Sequence, residues 1–273
     1  MYKATAAEVS KLRNSTGAGM MDSKKALEEA EGDFEKAIEI LRKKGQKVAA
    51  KRADRESAEG AVIAKVNSDH TKGVLISLNC ETDFVAKNED FVALAKRIAD
   101  IALTTADKEA LLNSDIDGIT ISEKLAEQTG VIGEKIEIGN FQLIEAPFVN
   151  AYIHAGNRIG AVAGLSANVS GAEEVAKEVA MQVAAMNPVA LNEDSVSSEI
   201  IEKELEIAKD LLRQEGKAEN MIENIAKGKL NKFFKENTLV HQAFIKDGKT
   251  SVADYVKSVN PELTVVGYIR YSL

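Results

Sequence analysis

The sequence predicts an α+β fold in which small antiparallel sheets are covered by helices. Three observations carry this expectation. The hydrophobic period is helical over the first 50 or so residues and switches to the two-residue period of strands at Gly60. The order of hairpin, helix and third strand that starts there recurs from Ala151, which marks a duplicated unit. A polar helical stretch with Gly216 in its middle interrupts the second copy.

Residues 1–55 read as an N-terminal three-helix domain with a linker. Thr5 and Glu8 have the capping-box spacing, in which each side chain satisfies an orphan backbone N–H. Val9 and Leu12 form the apolar edge of the first helix, and the glycines at 17 and 19 break it. A second helix spans about 21–30 and stops at Gly32. Asp33 caps a third, striped by Phe34, Ala37, Ile38 and Leu41 and ended by Gly45. The charge-dense run from Lys43 to Glu59 reads as a solvated helical linker. Residues 56–145 form a first core subdomain. It has strands at 60–67 and 74–80, a helix striped by Phe91, Leu94, Ala95, Ile98, Ile101 and Ala102, and a strand at about 135–144.

Residues 146–195 begin a second, related subdomain, with strands at 151–154 and 159–165 and a helix at 172–186 closed by Asn187-Pro188. It resumes over 236–273 with a short helix near 251–258 and a strand at 264–271. Between them lies the insertion, 196–235. One apolar stripe (Ile200, Ile201, Leu205, Ala208, Leu211, Leu212) precedes Gly216 and another (Met221, Ile222, Ile225, Ala226, Leu230) follows it, which predicts an antiparallel helical hairpin.

The totals exclude several classes. A net charge of -8 disfavours a general nucleic-acid binder, which needs a basic face. A single cysteine, Cys80, cannot close an internal disulfide and fits a reducing compartment. No stretch is long and apolar enough to span a bilayer and the N-terminus lacks a signal-peptide pattern, so a cytoplasmic protein is expected. His70, His154 and His241 are scattered and read as ordinary surface residues, with no zinc spacing. Asp115 and Asp117 lack the rest of a calcium loop, and neither a P-loop nor a dinucleotide fingerprint is present. Cys80 reads as a buried structural thiol; the enzyme alternative would make it a nucleophile. No catalytic residue, metal site or cofactor is therefore expected, and the chain reads as a binding protein. A helical scaffold or RNA-associated protein using Lys43 to Arg55 is the alternative.

Residues 79–88 stand apart, because Phe84 lies on a polar connection among Glu81, Asp83 and Lys87. It is either a plug for the protein's own core, which composition alone favours, or a wedge for a partner. Asp83 either shapes the turn by capping the helix that follows or touches the partner directly. Met20 and Met21 are adjacent, so one is expected to pack inward and the other outward.

The run Leu12-Arg13 with residues 16–27 (TGAGMMDSKKAL) and the run 81–88 (ETDFVAKN) resemble the two signatures of elongation factor Ts. Ile132-Gly133-Glu134 and His154 with Arg158-Ile159-Gly160 match further family positions, in order and at fitting separations, so the resemblance covers Val9 to Tyr271. It implies an N-terminal UBA-like domain, a two-subdomain core and a helical hairpin. It also implies guanine-nucleotide exchange on elongation factor Tu, GDP-bound and nucleotide-free, without covalent chemistry or direct nucleotide binding. Arg13, Met20 and Met21 would dock on the partner's G domain. Asp83 and Phe84 would enter the G domain near the magnesium site, with Ile132 and Gly133 alongside and Thr82 and Val85 among the partner-binding residues, which favours the wedge. His154, Phe244 and Ile245 would meet another partner domain. Family members often continue into an acidic helical tail; this chain stops at Leu273, so an effect on affinity rather than activity is expected. Ser23 stands where many relatives have Cys, a change conservative in volume.

Overall fold

The computed structural model describes residues 2–273. The N-terminal domain comprises α1 (Ala6–Thr16), α2 (Met20–Glu29) and α3 (Phe34–Arg52) around Val9, Leu12, Ala26, Leu27 and Ala37. The predicted capping box is present: the Thr5 N–H donates to Glu8 Oε2 at 2.8 Å and the Glu8 N–H to Thr5 Oγ1 at 3.3 Å. Gly17, at φ 71°, closes α1 in the left-handed conformation.

Gly45 does not end the third helix, which runs on to Arg52. A Cβ on Gly45 would lie 3.0 Å from the Ala126 carbonyl oxygen, and one on Gly130 would lie 2.5 Å from the Gly45 Cα. Two helices here cross backbone against backbone, and that packing outweighs glycine's poor helix propensity. The stretch read as a solvated linker is thus partly docked on the core. Lys43 and Lys44 pair with Glu39 and Asp22 at 2.7 and 2.5 Å.

The first sheet contains β1 (Glu59–Val66) and β2 (Lys72–Cys80), followed by the one-turn helix α4 (Asp83–Ala86), then α5 (Glu89–Ala102) and α6 (Lys108–Leu112). A small hairpin of β3 (Asp115–Ile116) and β4 (Ile119–Thr120) leads into α7 (Ile121–Ile132), and β5 (Glu137–Glu145) completes the antiparallel order β1-β2-β5. The sequence reading did not place α7, although Thr120 and Glu123 form its capping box.

The second sheet is β6 (Phe148–Ile153), β7 (Ile159–Leu165) and β8 (Val265–Ser272), in that order and antiparallel, with α8 (Ala172–Met186) across it. The predicted hairpin insertion is α9 (Ser198–Gln214) and α10 (Glu219–Asn237), and α11 (Val252–Val259) precedes the last strand. Within the hairpin Leu212 is buried and Leu211 exposed, so of these neighbours only Leu212 falls on the seam.

Each sheet buries one face under its own helices and the other against its counterpart, through Val62, Leu75, Val149 and Val162. A Cβ on Gly73 would come within 2.6 Å of Val162 Cγ1, and one on Gly160 within 2.7 Å of Leu75 Cδ1. Gly73 and Leu75 take the same places in β2 that Gly160 and Val162 take in β7, so the contact is reciprocal and records the duplication. His70 is not an ordinary surface residue. Its ring stacks on Phe148 at 5.0 Å and its carbonyl accepts the Val149 N–H at 2.6 Å, which joins the two subdomains.

The α3–α7 crossing has a direct consequence. Gly130→Ala forces a methyl into the Gly45 backbone and is expected to cost about 1–3 kcal/mol in urea unfolding, as overpacking does, with the loss concentrated in N-terminal-domain docking.

Candidate functional site

The turn between β2 and α5 is built by hydrogen bonds reaching it from elsewhere. Glu134, just past the C-terminus of α7, accepts the backbone N–H groups of Glu81 and Thr82, each at 3.0 Å, and the Thr82 hydroxyl at 2.7 Å. Glu81 in turn accepts the Lys135 N–H at 2.6 Å and the Arg52 guanidinium at 2.7 and 3.0 Å. Gly133, left-handed at φ 82°, ends α7 and lets the chain double back to place Glu134. Hydrogen bonds with an ionised partner are the strong class, so this clasp is a firm one.

Beyond the clasp, α4 makes a single turn, with the Ala86 N–H donating to Thr82 O at 3.2 Å and the Lys87 N–H to Asp83 O at 3.1 Å. Val85 and Ala86 face the core cluster. Phe84 therefore faces away and is 84% exposed. The core-plug reading of Phe84 is overturned. A large exposed aromatic on a braced turn is the informative kind of surface residue.

Asp83 does not cap the following helix. Asn88 does, accepting from the Asp90 and Phe91 N–H groups, while Asp83 pairs with Lys87 at 2.6 Å. Lys87 holds the Asp83 carboxyl below its ordinary range. Cys80 is fully buried and its thiol donates to Thr82 O at 3.2 Å. Burial first, and the Glu134 charge second, push that thiol up to about 12, which suits a structural role and not a nucleophile.

A cleft of about 560 Å³ lies beside Phe84, between the end of α1 (Ser15 to Gly17), Val85 and Phe91, and Val131 and Ile132 of α7. The structure thus brings Phe84, Val85 and Ile132 together with the N-terminal domain. Arg13 is exposed in the last turn of α1. Met20 and Met21 are both exposed, at 55% and 62%, against the expectation of one inward; the buried face of α2 begins a turn later, at Ser23.

The remaining expected residues do not line this cleft. His154 is exposed at the β6–β7 turn, its Nδ1 3.0 Å from the Tyr152 hydroxyl. Phe244 is 4% exposed and stacked on Tyr255, so of that pair only Ile245, at 37%, presents surface. Sequence reasoning missed the bracing roles of Glu81, Glu134 and Arg52. Glu81 and Glu134 were visible beside the residues it chose; their mutual contact, across 53 positions, was not.

The Lys135 N–H, opposed by partial burial and reinforced by Arg52, holds the Glu81 carboxyl below its ordinary range. A group so depressed contributes stability above that range and loses it as pH falls through its folded value. Unfolding free energy measured from about pH 6 down to about pH 3 is expected to fall, and Glu81→Gln to flatten that fall while lowering stability near neutrality.

Comparison with known proteins agrees with this architecture. The family described as Elongation factor TS matches residues 81–273. Proteins named Elongation factor Ts from Christiangramia forsetii and Flavobacterium psychrophilum are 67% and 62% identical over the whole of both chains. That of Porphyromonas gingivalis is 45% identical over 98% of each. The chain belongs to the elongation factor Ts family.

Proposed function

We propose that this protein is a guanine-nucleotide exchange factor for elongation factor Tu and acts by binding, with Phe84 as the wedge that opens the partner's nucleotide site. Family membership supports the exchange role and the partner. The observation that carries the mechanism is Phe84, 84% exposed on a turn clasped by Glu134 and Glu81. The activity belongs in the cytoplasm, where translation takes place.

The physics of such a wedge is simple. GDP is held on a GTPase by backbone N–H groups around its phosphates and by Mg²⁺ bridging charge. A factor shifts that site only if it binds the open state better than the closed one. Burying a Phe removes about 150–250 Å² from water, worth roughly 4–6 kcal/mol gross at ~25 cal/mol per Å². Ordering costs reduce this, yet about 3 kcal/mol of differential binding already weakens GDP more than a hundredfold. Linkage is reciprocal, so GDP and the factor weaken each other equally and incoming GTP expels the factor. No bond is made or broken.

The other residues take supporting parts in this reading. Arg13, Met20 and Met21 dock the N-terminal domain on the partner's G domain, the methionines as adaptable apolar contacts. Thr82, Asp83 and Val85 shape the turn, and Ile132 and Gly133 flank it. His154 and Ile245 touch a second partner domain, with Phe244 beneath Ile245. The RNA-associated alternative loses part of its basic surface, because Arg52 is committed to Glu81 and Lys43 and Lys44 are paired.

Phe84→Ala tests the wedge. Since the ring makes little contact with its own core, the variant is expected to unfold within about 0.5 kcal/mol of the parent. It should still bind elongation factor Tu but lose most of its acceleration of GDP release. Retained exchange would contradict the mechanism.

A further inference from the structure

α8 buries two polar side chains that the exchange reading leaves unused. Gln182 is 0% and Glu178 7% exposed, and their spacing of four places them on one face of the helix. Gln182 Nε2 donates to Gln242 Oε1 and to Ala243 O, both at 3.2 Å, and its Oε1 accepts the Ile245 N–H at 2.8 Å. Glu178 accepts from Lys246 Nζ, and the Tyr255 ring lies flat on Phe244 with centroids 4.0 Å apart. One segment, 242–246, thus supplies the hydrogen-bond partners of both side chains. The Asp247 and Gly248 N–H groups close a turn onto Phe244 O at 3.2 and 2.7 Å, and Ile245 rises from that turn to the surface.

Packing alone would be served by aliphatic residues at 178 and 182, because a buried amide or carboxylate is costly unless fully bonded. Both are bonded only when the 242–246 segment takes this one conformation. The arrangement parallels the first subdomain, where Glu134 holds the amides of the turn that carries Phe84.

We propose that Gln182 and Glu178 are positioning residues for the second partner contact: by fixing residues 242–246 they hold Ile245 in the geometry that elongation factor Tu meets. This rests on the exchange-factor reading, and its test has one arm that needs no partner.

In the free full-length protein, Gln182→Leu is expected to speed amide exchange of Ile245 about tenfold or more while β7 amides keep their protection; unchanged Ile245 protection overturns the proposal. With GDP-loaded elongation factor Tu, Gln182→Leu is expected to raise the concentration giving half-maximal GDP release about tenfold, with the maximal release rate unchanged. In an Ile245→Ala background it should add nothing, since the two changes remove the same contact. Additive effects, or a fall in maximal rate alone, overturn the proposal. Glu178→Gln keeps the side chain's shape and removes its charge; it should shift the half-maximal concentration in the same direction by less, and it decides the matter if Gln182→Leu does not fold. A parent protein that leaves GDP release unaccelerated contradicts the exchange reading itself, and the hydrogen-exchange arm then decides the positioning of Ile245 separately.

Discussion

Two carboxylates hold the turn that gives this molecule its distinctive surface. Glu134 takes the amides of Glu81 and Thr82, and Glu81 takes the Lys135 amide and the Arg52 guanidinium. Without them a turn carrying a phenylalanine would be driven to fold the ring back onto apolar surface, a gain of several kcal/mol. Such a collapse would turn Val85 and Ala86 out of the core and strand charge-assisted bonds of about 1.5–3 kcal/mol each. The ring stays outside because its neighbours and its braces cannot follow it inward. Arg52 ends α3, so the same clasp ties the N-terminal helices to the turn, and the backbone contact of Gly45 with Gly130 fixes them from the other side.

The sheets supply the stiffness behind this. Gly73 under Val162 and Gly160 under Leu75 let two three-stranded sheets approach closely, with helices on both outer faces. Small sheets are marginal alone; back to back they share one apolar layer. Each subdomain then spends its helical layer on presenting one loop, the Phe84 turn in the first and the 243–248 turn in the second. The first brace is charged and partly exposed, and the second combines a fully buried amide, Gln182, with a buried carboxylate paired to an exposed lysine.

Much of the fold was legible in the sequence because it is local. The end of α8 follows from Asn187-Pro188, and the hairpin of α9 and α10 from two stripes around Gly216. What was not legible depends on residues distant in sequence. Gly45 looks like a terminator until Gly130 is seen against it, and His70 looks like a turn residue until Phe148 stacks on it. The site divides the same way. The motif around Phe84 could be read, and its resemblance favoured an outward wedge, whereas composition alone favoured a core plug. Adjacent Met20 and Met21 suggest one inward and one outward residue, whereas the core of α2 starts beyond both. Phe244 and Ile245 look equivalent in the sequence, yet the backbone turns one in and the other out.

The most direct measurement is the release rate of a fluorescent GDP analogue from elongation factor Tu as this protein is titrated in at submicromolar concentrations. An outward, braced Phe84 predicts a large acceleration that rises with concentration and saturates. Complex formation with the release rate unchanged would contradict it.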